Sequence, residues 1–318
     1  RQMCIRDSYN NANHLQTGGS MRKKLVSIFL GVTMAAFFVG CQSAKTAENK
    51  KDNGKVDVTV SIEPLREFTE IVGGDKVNVK TMVPNGTEPH DFEPKTQDLL
   101  ELNKAKVFVY NGLGMEHWKE QVLNTIENKD VKVVEASKGA EVLKEGDKVD
   151  PHLWLSLDGA KIEAQNIKDA LVEVDSDNKS YYEENFKKFA EKLDSLANEY
   201  KEKFNGLANK DFVTGHAAFG YLCREFGLKQ VSVENLFGEG EITPQKMQEI
   251  VEFCKKNDIK TIFMPELASE KISQTLANEV GGKIEKIYTL ESNEDGISYI
   301  DAMKENLSKI YNALSSQK

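Results

Sequence analysis

Three histidines of this chain stand in loops just past short β-branched runs. His90 lies in Pro84-Asn85-Gly86-Thr87-Glu88-Pro89-His90-Asp91-Phe92-Glu93-Pro94, His152 in Asp150-Pro151-His152-Leu153-Trp154-Leu155-Ser156, and His216 in Thr214-Gly215-His216-Ala217-Ala218-Phe219-Gly220. A neutral imidazole nitrogen is a borderline donor suited to Zn²⁺, whereas carboxylates and water suit Mn²⁺ and harder ions, so three histidines lean toward zinc. A lone loop histidine is more often a surface or capping residue than a ligand. Three at strand ends shift that balance. A fourth donor is expected from Glu291, in Tyr288-Thr289-Leu290-Glu291-Ser292. Glu266, in Met264-Pro265-Glu266, competes for that role or accepts a hydrogen bond that orients an imidazole. Asp91 and Asp150 are candidate partners of the neighbouring histidines, although turn chemistry around Pro89 and Pro151 explains them equally well. His117 begins a helix and reads as a solvated or capping side chain.

Such loops need a scaffold. Strand-like runs recur at 56–62, 77–83, 106–110, 131–135, 212–214, 230–233, 260–264 and 283–290. Amphipathic, helix-length stretches separate most of them, among them 95–104, 116–128, 244–257 and 269–280. Alternation of this kind argues for parallel sheets, and in open parallel sheets ligands gather beyond the carboxyl ends of the strands. The fold class expected is α/β, with two Rossmann-like lobes of four-stranded, mainly parallel sheets. His90 and His152 from the first lobe can then face His216 from the second.

Between the lobes run Tyr182, Phe186, Phe189, Leu193, Leu196, Tyr200 and Phe204, a continuous apolar stripe at helical spacing. Asp177 or Ser176 could cap its start and Gly206 could end it. The organisation expected is a first lobe over 56–175, a linking helix over 176–206 and a second lobe over 207–318. One rigid connector restricts lobe motion more than flexible strands would. A coiled-coil partner for the stripe is the alternative.

The first residues read differently. Residues 1–20 lack periodicity and are taken as a non-native leader, with translation beginning at Met21. Arg22-Lys23-Lys24, the apolar run 25–39 and Gly40-Cys41 then form a signal peptide over 21–40, too short to span a bilayer as a helix. Phe38-Val39-Gly40-Cys41 resembles a bacterial lipobox, which makes Cys41 a lipidation site and places the protein outside the cytoplasm, anchored to the cell membrane. Residues 41–55 are polar and read as a tether. The formal net charge of −9 offers no electropositive footprint for nucleic acid. Cys223 and Cys254 sit in amphipathic helical stretches and read as buried thiols; a disulfide between them stays open.

Taken together, 86–94, 111–116, 150–156, 216–222 and 301–307 resemble the metal-binding cluster A-I of ABC-transporter substrate-binding proteins, in its zinc-receptor (ZnuA/AdcA-like) branch of the TroA-like group. The likeness runs from about Val56 to the final helix at 297–314. It implies two lobes joined by one long backbone helix, with an ion held between them by His90, His152, His216 and, at the acidic position, Glu291. It also implies a monomeric receptor that hands Zn²⁺ to an ABC permease and is not an enzyme. Manganese-binding relatives typically carry a carboxylate where this chain has His216. Some zinc receptors carry a histidine-rich loop before the second ligand, where this chain has Ala-Glu-Val-Leu-Lys-Glu-Gly-Asp-Lys-Val at 140–149.

Other functions compete with this one. A receptor for Mn²⁺ or Fe²⁺ keeps the fold and changes the cargo. A zinc-dependent hydrolase would use three histidines and leave the fourth position open to water. A surface adhesin would need host contacts that the sequence does not display.

Overall fold

A computed structural model describes residues 54–238, 243–267, 270–293 and 295–317. The expected leader, signal peptide, Cys41 and most of the tether lie outside them. In chain order the elements are β1 (Val56–Val60), α1 (Glu63–Gly73), β2 (Val77–Thr81), α2 (Thr96–Leu102), β3 (Val107–Tyr110), α3 (Lys119–Thr125), β4 (Lys132–Glu135) and a two-residue hairpin, β5 (Lys144–Glu145) with β6 (Lys148–Val149). Then follow α4 (Leu157–Val174), α5 (Lys179–Asn205), β7 (Asp211–Thr214), α6 (Gly220–Phe226), β8 (Lys229–Ser232), α7 (Pro244–Lys256), β9 (Thr261–Met264), α8 (Glu270–Glu279), β10 (Lys283–Lys286) and α9 (Tyr299–Ser315).

The two sheets share one topology. The first runs β2-β1-β3-β4 and the second, from its other edge, β8-β7-β9-β10. Every neighbouring pair in both is parallel. The expected mainly parallel lobes are therefore wholly parallel, with the short antiparallel hairpin outside the two sheets. Each expected strand is present, but the last ends as a strand at Lys286 rather than running to Leu290. Its backbone leaves the ladder because side chains replace strand partners: Asn306 brackets Tyr288 through N–H···Oδ1 at 2.8 Å and Nδ2–H···O=C at 2.7 Å, and Glu266 takes the Thr289 N–H at 2.7 Å.

Alternation along the strands divides the burial between two faces. Phe212 and Phe263 face a large core that continues into the first lobe, whereas Val213 and Ile262 face a smaller one under Ile250 and Leu276. The seam between the lobes is thus packed apolar core, with the rings of Phe68, Phe189 and Tyr299 in mutual contact.

The linking helix buries its stripe as spaced: Tyr182, Phe189, Leu193, Leu196, Tyr200 and Phe204 are all buried, with Phe186 partly so. It packs on α1 and α4 of the first lobe and on α6 and α9 of the second, which uses the stripe within the chain. Its start differs from expectation. Ser176–Asn178 form a 3-10 turn, so the N-cap position falls to Asn178, without a side-chain cap. Gly206 closes the other end.

Helix ends also tie the lobes. Glu225 of α6 accepts the Leu157 N–H at 2.7 Å, at the first turn of α4. Reciprocally, Glu67 of α1 accepts the Tyr299 N–H at 2.6 Å, at the first turn of α9. Each carboxylate satisfies a donor that a helix start leaves without an intrahelical partner, and each meets the positive end of the helix dipole. The Tyr299 hydroxyl adds a bond to the Trp154 carbonyl at 2.6 Å. α9 is consequently a second crossing between lobes beside α5. No helix among the described residues is long and apolar enough to cross a membrane.

Candidate metal centre

His90 lies in a 3-10 turn, Pro89–Asp91, in the loop after β2. Glu88 starts that turn by accepting the His90 N–H at 3.2 Å. His152 precedes a second 3-10 turn, Leu153–Leu155, which leads into α4. His216 follows β7, with its carbonyl held by the Thr214 hydroxyl at 2.7 Å and by the Gln230 amide at 2.7 Å. Glu291 follows β10. All four side chains are buried, between the two lobes.

Their donor atoms converge. His152 Nε2 lies 3.2 Å from His90 Nε2 and 3.1 Å from His216 Nε2. Glu291 Oε1 lies 3.4 Å from His90 Nε2, 3.4 Å from His152 Nε2 and 3.9 Å from His216 Nε2. A tetrahedral zinc centre with bonds of about 2.0–2.1 Å has ligand–ligand edges of about 3.3 Å, and these separations scatter around that value. Glu291 Oε1 is buried and has no hydrogen-bond partner, a costly state for a carboxylate oxygen that a cation relieves.

For His152 the nitrogen offered to the cluster is set from behind. Asp150 Oδ1 accepts from His152 Nδ1 at 2.8 Å and from the His152 backbone N–H at 2.9 Å, which fixes the tautomer and leaves Nε2 facing the cluster. Burial opposes charge on His152, but Asp150 and Glu291 outweigh it and push the imidazole up to about 9. Burial pulls His216 down to about 4, helped by its histidine neighbours and resisted by Glu291. Burial would raise Glu291, yet His152 and His90 hold it well below the usual carboxylate range. Burial and the Glu291 charge push Glu88 up to about 7.

Of the residues expected at the site, His90, His152, His216 and Glu291 are brought together. Glu266 is not among them. It accepts the Thr289 N–H at 2.7 Å, the Thr289 hydroxyl at 3.0 Å and the Leu290 N–H at 3.4 Å, so it holds the segment that carries Glu291 rather than an imidazole. Asp150 is a partner of its histidine; Asp91 is exposed. His117 is exposed and contacts Glu93 at 3.0 Å. Cys223 and Cys254 are buried and free, and burial pushes both thiols up, Cys254 to about 11.

Three contributions escaped the sequence reading. Phe237, in the loop after β8, packs its ring edge-on against His90, with centroids 5.3 Å apart. Trp154 donates from Nε1 to the Thr289 carbonyl at 2.8 Å, linking the segments of His152 and Glu291. Asn111 donates from Nδ2 to the Pro151 carbonyl at 2.9 Å, behind His152. No local pattern announces such long-range partners, although Asn111 and Trp154 fall within the runs 111–116 and 150–156.

Two parallel-sheet lobes of like topology, with four buried donors meeting between them, define a two-lobed metal-binding protein. The sequence profile of the family described as zinc-uptake complex component A, periplasmic (ZnuA), matches residues 58–313, and the chain belongs to this family of metal-binding proteins of ABC transporters. It is 33% identical over 315 residues to the high-affinity zinc uptake system protein ZnuA of Bacillus subtilis, covering 92% of this chain and 99% of that one. It is also 33% identical over 307 residues to a manganese ABC transporter substrate-binding lipoprotein of Streptococcus gordonii, covering 90% and 98%. Among solved structures, the Zn(II)-bound ZnuA-like domain of AdcA from Streptococcus pneumoniae superposes with a TM-score of 0.74 at 35% identity, covering 83% of this chain and 100% of that one.

Proposed function

We propose that this protein is an extracytoplasmic receptor that captures one Zn²⁺ ion with His90, His152, His216 and Glu291 and delivers it to the permease of an ABC importer. The observation that supports this most strongly is the donor set: three imidazole nitrogens and one carboxylate oxygen, 3.1–3.9 Å apart along five of the six edges and all within 4.8 Å of one another. Imidazole-rich, four-donor sites of tetrahedral dimensions favour zinc over manganese, which prefers more oxygen donors. Glu291 takes the position that a catalytic zinc site leaves open to water, so the protein acts as a carrier and not as a hydrolase. It works as a monomer, held at the cell membrane through a lipid on Cys41.

A manganese cargo is the competing reading, favoured by the likeness to the Streptococcus gordonii protein. Titration separates the two: the soluble protein without its lipid should bind one Zn²⁺ more tightly than Mn²⁺, and alanine at any of the four donors should weaken zinc by orders of magnitude. Tighter Mn²⁺ binding would transfer the assignment to manganese. Failure of the parent to bind either ion in a one-to-one ratio would end the receptor reading. The anchor has its own test, because Cys41→Ser should release the protein from membranes.

A further inference from the structure

We propose that Glu116 and Glu266 are a matched pair of positioning residues, one per lobe, that hold the segments carrying His152 and Glu291 in ligating geometry. The inference rests on the zinc reading of the centre.

The two carboxylates occupy equivalent places. Glu116 lies in the loop after β3 and Glu266 in the loop after β9, each the third strand of its lobe in the shared topology. Each spends its oxygens on backbone N–H groups. Glu116 Oε1 accepts from the Asn111 N–H at 2.7 Å and from the Ser61 hydroxyl at 2.6 Å, and its Oε2 accepts the Gly112 N–H at 2.9 Å. Asn111, so fixed, donates from its side chain to the Pro151 carbonyl, one residue before His152. Glu266 grips Thr289 and Leu290, one residue before Glu291. In each lobe, then, a carboxylate after the third strand secures the ligand-bearing segment that follows the fourth. The Trp154–Thr289 bond joins the two secured segments across the cleft.

Backbone conformation supports the same reading. Among the described residues, the non-glycine residues with positive φ are Leu113 at 55°, Asp258 at 51° and Leu290 at 62°. Two of these three lie on the stretches held by Glu116 and Glu266. A branched side chain in the left-handed region persists only where its surroundings over-determine it. Here the surrounding element is a carboxyl group whose oxygens face several N–H donors at once, so the turn is held at more than one point.

The experiment compares Glu116→Gln and Glu266→Gln with the parent and with Glu163→Gln. Glu163 is buried on α4, has no hydrogen-bond partner for either oxygen and supplies no donor to the centre. Each protein is loaded with Co²⁺ for its ligand-field spectrum and with Zn²⁺ for competition titration and chelator-driven release. The Glu116 and Glu266 variants should still bind one ion, about 10- to 100-fold more weakly. They should also release it faster and show an altered Co²⁺ spectrum, whereas Glu163→Gln behaves as the parent does. Parent-like affinity and spectrum in both folded variants overturns the proposal. Should they fail to fold, Asn111→Ser and Thr289→Val decide, each removing one link. A loss of about two- to tenfold is expected, and no loss in either overturns the proposal. A parent that binds no ion defeats the zinc reading itself, which is a different result.

Discussion

A single oxygen of Asp150 accepts two hydrogen bonds from His152, one from ring Nδ1 at 2.8 Å and one from the backbone N–H at 2.9 Å. The ring is thereby locked in rotation and in tautomer before any ion arrives. Asp150→Asn should keep the shape but present an amide where a carboxylate was, weakening zinc by about 10- to 100-fold. Competition titration of the folded variant checks this, and an unchanged affinity would show that the aspartate serves only the turn.

The same pair sets a pH dependence. With His152 pushed up to about 9, its imidazolium must lose a proton before Nε2 can bind an ion. Apparent zinc affinity should therefore fall about tenfold for each pH unit lowered between about pH 9 and pH 6. His216, pulled down to about 4, adds a second competing proton only in acid. In the metal-free fold the sign reverses. His152 is raised, so its stabilising contribution is complete below the unfolded value of about 6.5 and is lost as pH climbs through about 9. Zinc affinity that stays level across this window would refute the assignment of the proton to His152.

Glu163 yields a prediction of opposite character. Its carboxyl is fully buried with both oxygens unpartnered, and burial raises it well above the usual carboxylate range. Below the unfolded value of about 4.5 it is neutral in both states and carries no ionisation penalty; above it the folded protein must keep a proton that the unfolded chain has lost. Glu163→Leu should stabilise the fold by about 1–3 kcal/mol, as removal of an unsatisfied buried polar group does. That gain should widen as pH rises from about 4.5. Denaturant melts at two pH values measure it, and a destabilised variant would mean that Glu163 has a partner of its own.

The reciprocal caps offer a fourth test. Glu67→Gln and Glu225→Gln each weaken a carboxylate that meets a helix start, so each should lower stability by about 1–2 kcal/mol. Thermal melts should show similar losses for the two, because the contacts mirror one another across the lobes. A loss confined to one variant would contradict that equivalence.

The α/β build and the meeting of the three histidines with Glu291 could be read from the chain, because both rest on local signals. β-branched runs mark strands, the stripe from Tyr182 to Phe204 marks one helix, and ligands gather at strand ends. The limits of that reading are equally physical. Strand β10 stops early because Asn306, 20 residues past Lys286 on α9, supplies the bonds that a neighbouring strand would. Glu266 could be placed near the centre but not given its role, since what it holds is the backbone of Thr289 and Leu290. Phe237 against His90, and Glu225 of α6 against the start of α4, are meetings of distant segments, and no periodicity encodes them.

The double crossing by α5 and α9 has a mechanical consequence. Swinging one lobe away from the other would tear the Phe68–Phe189–Tyr299 packing and both borrowed caps at the same moment, so these contacts oppose a hinge motion together. At the mouth, by contrast, polar bonds such as Gly86 N–H to Ser292 Oγ at 2.9 Å join the rims. For a bound ion, loosening one rim would break fewer contacts than opening the lobes like a jaw.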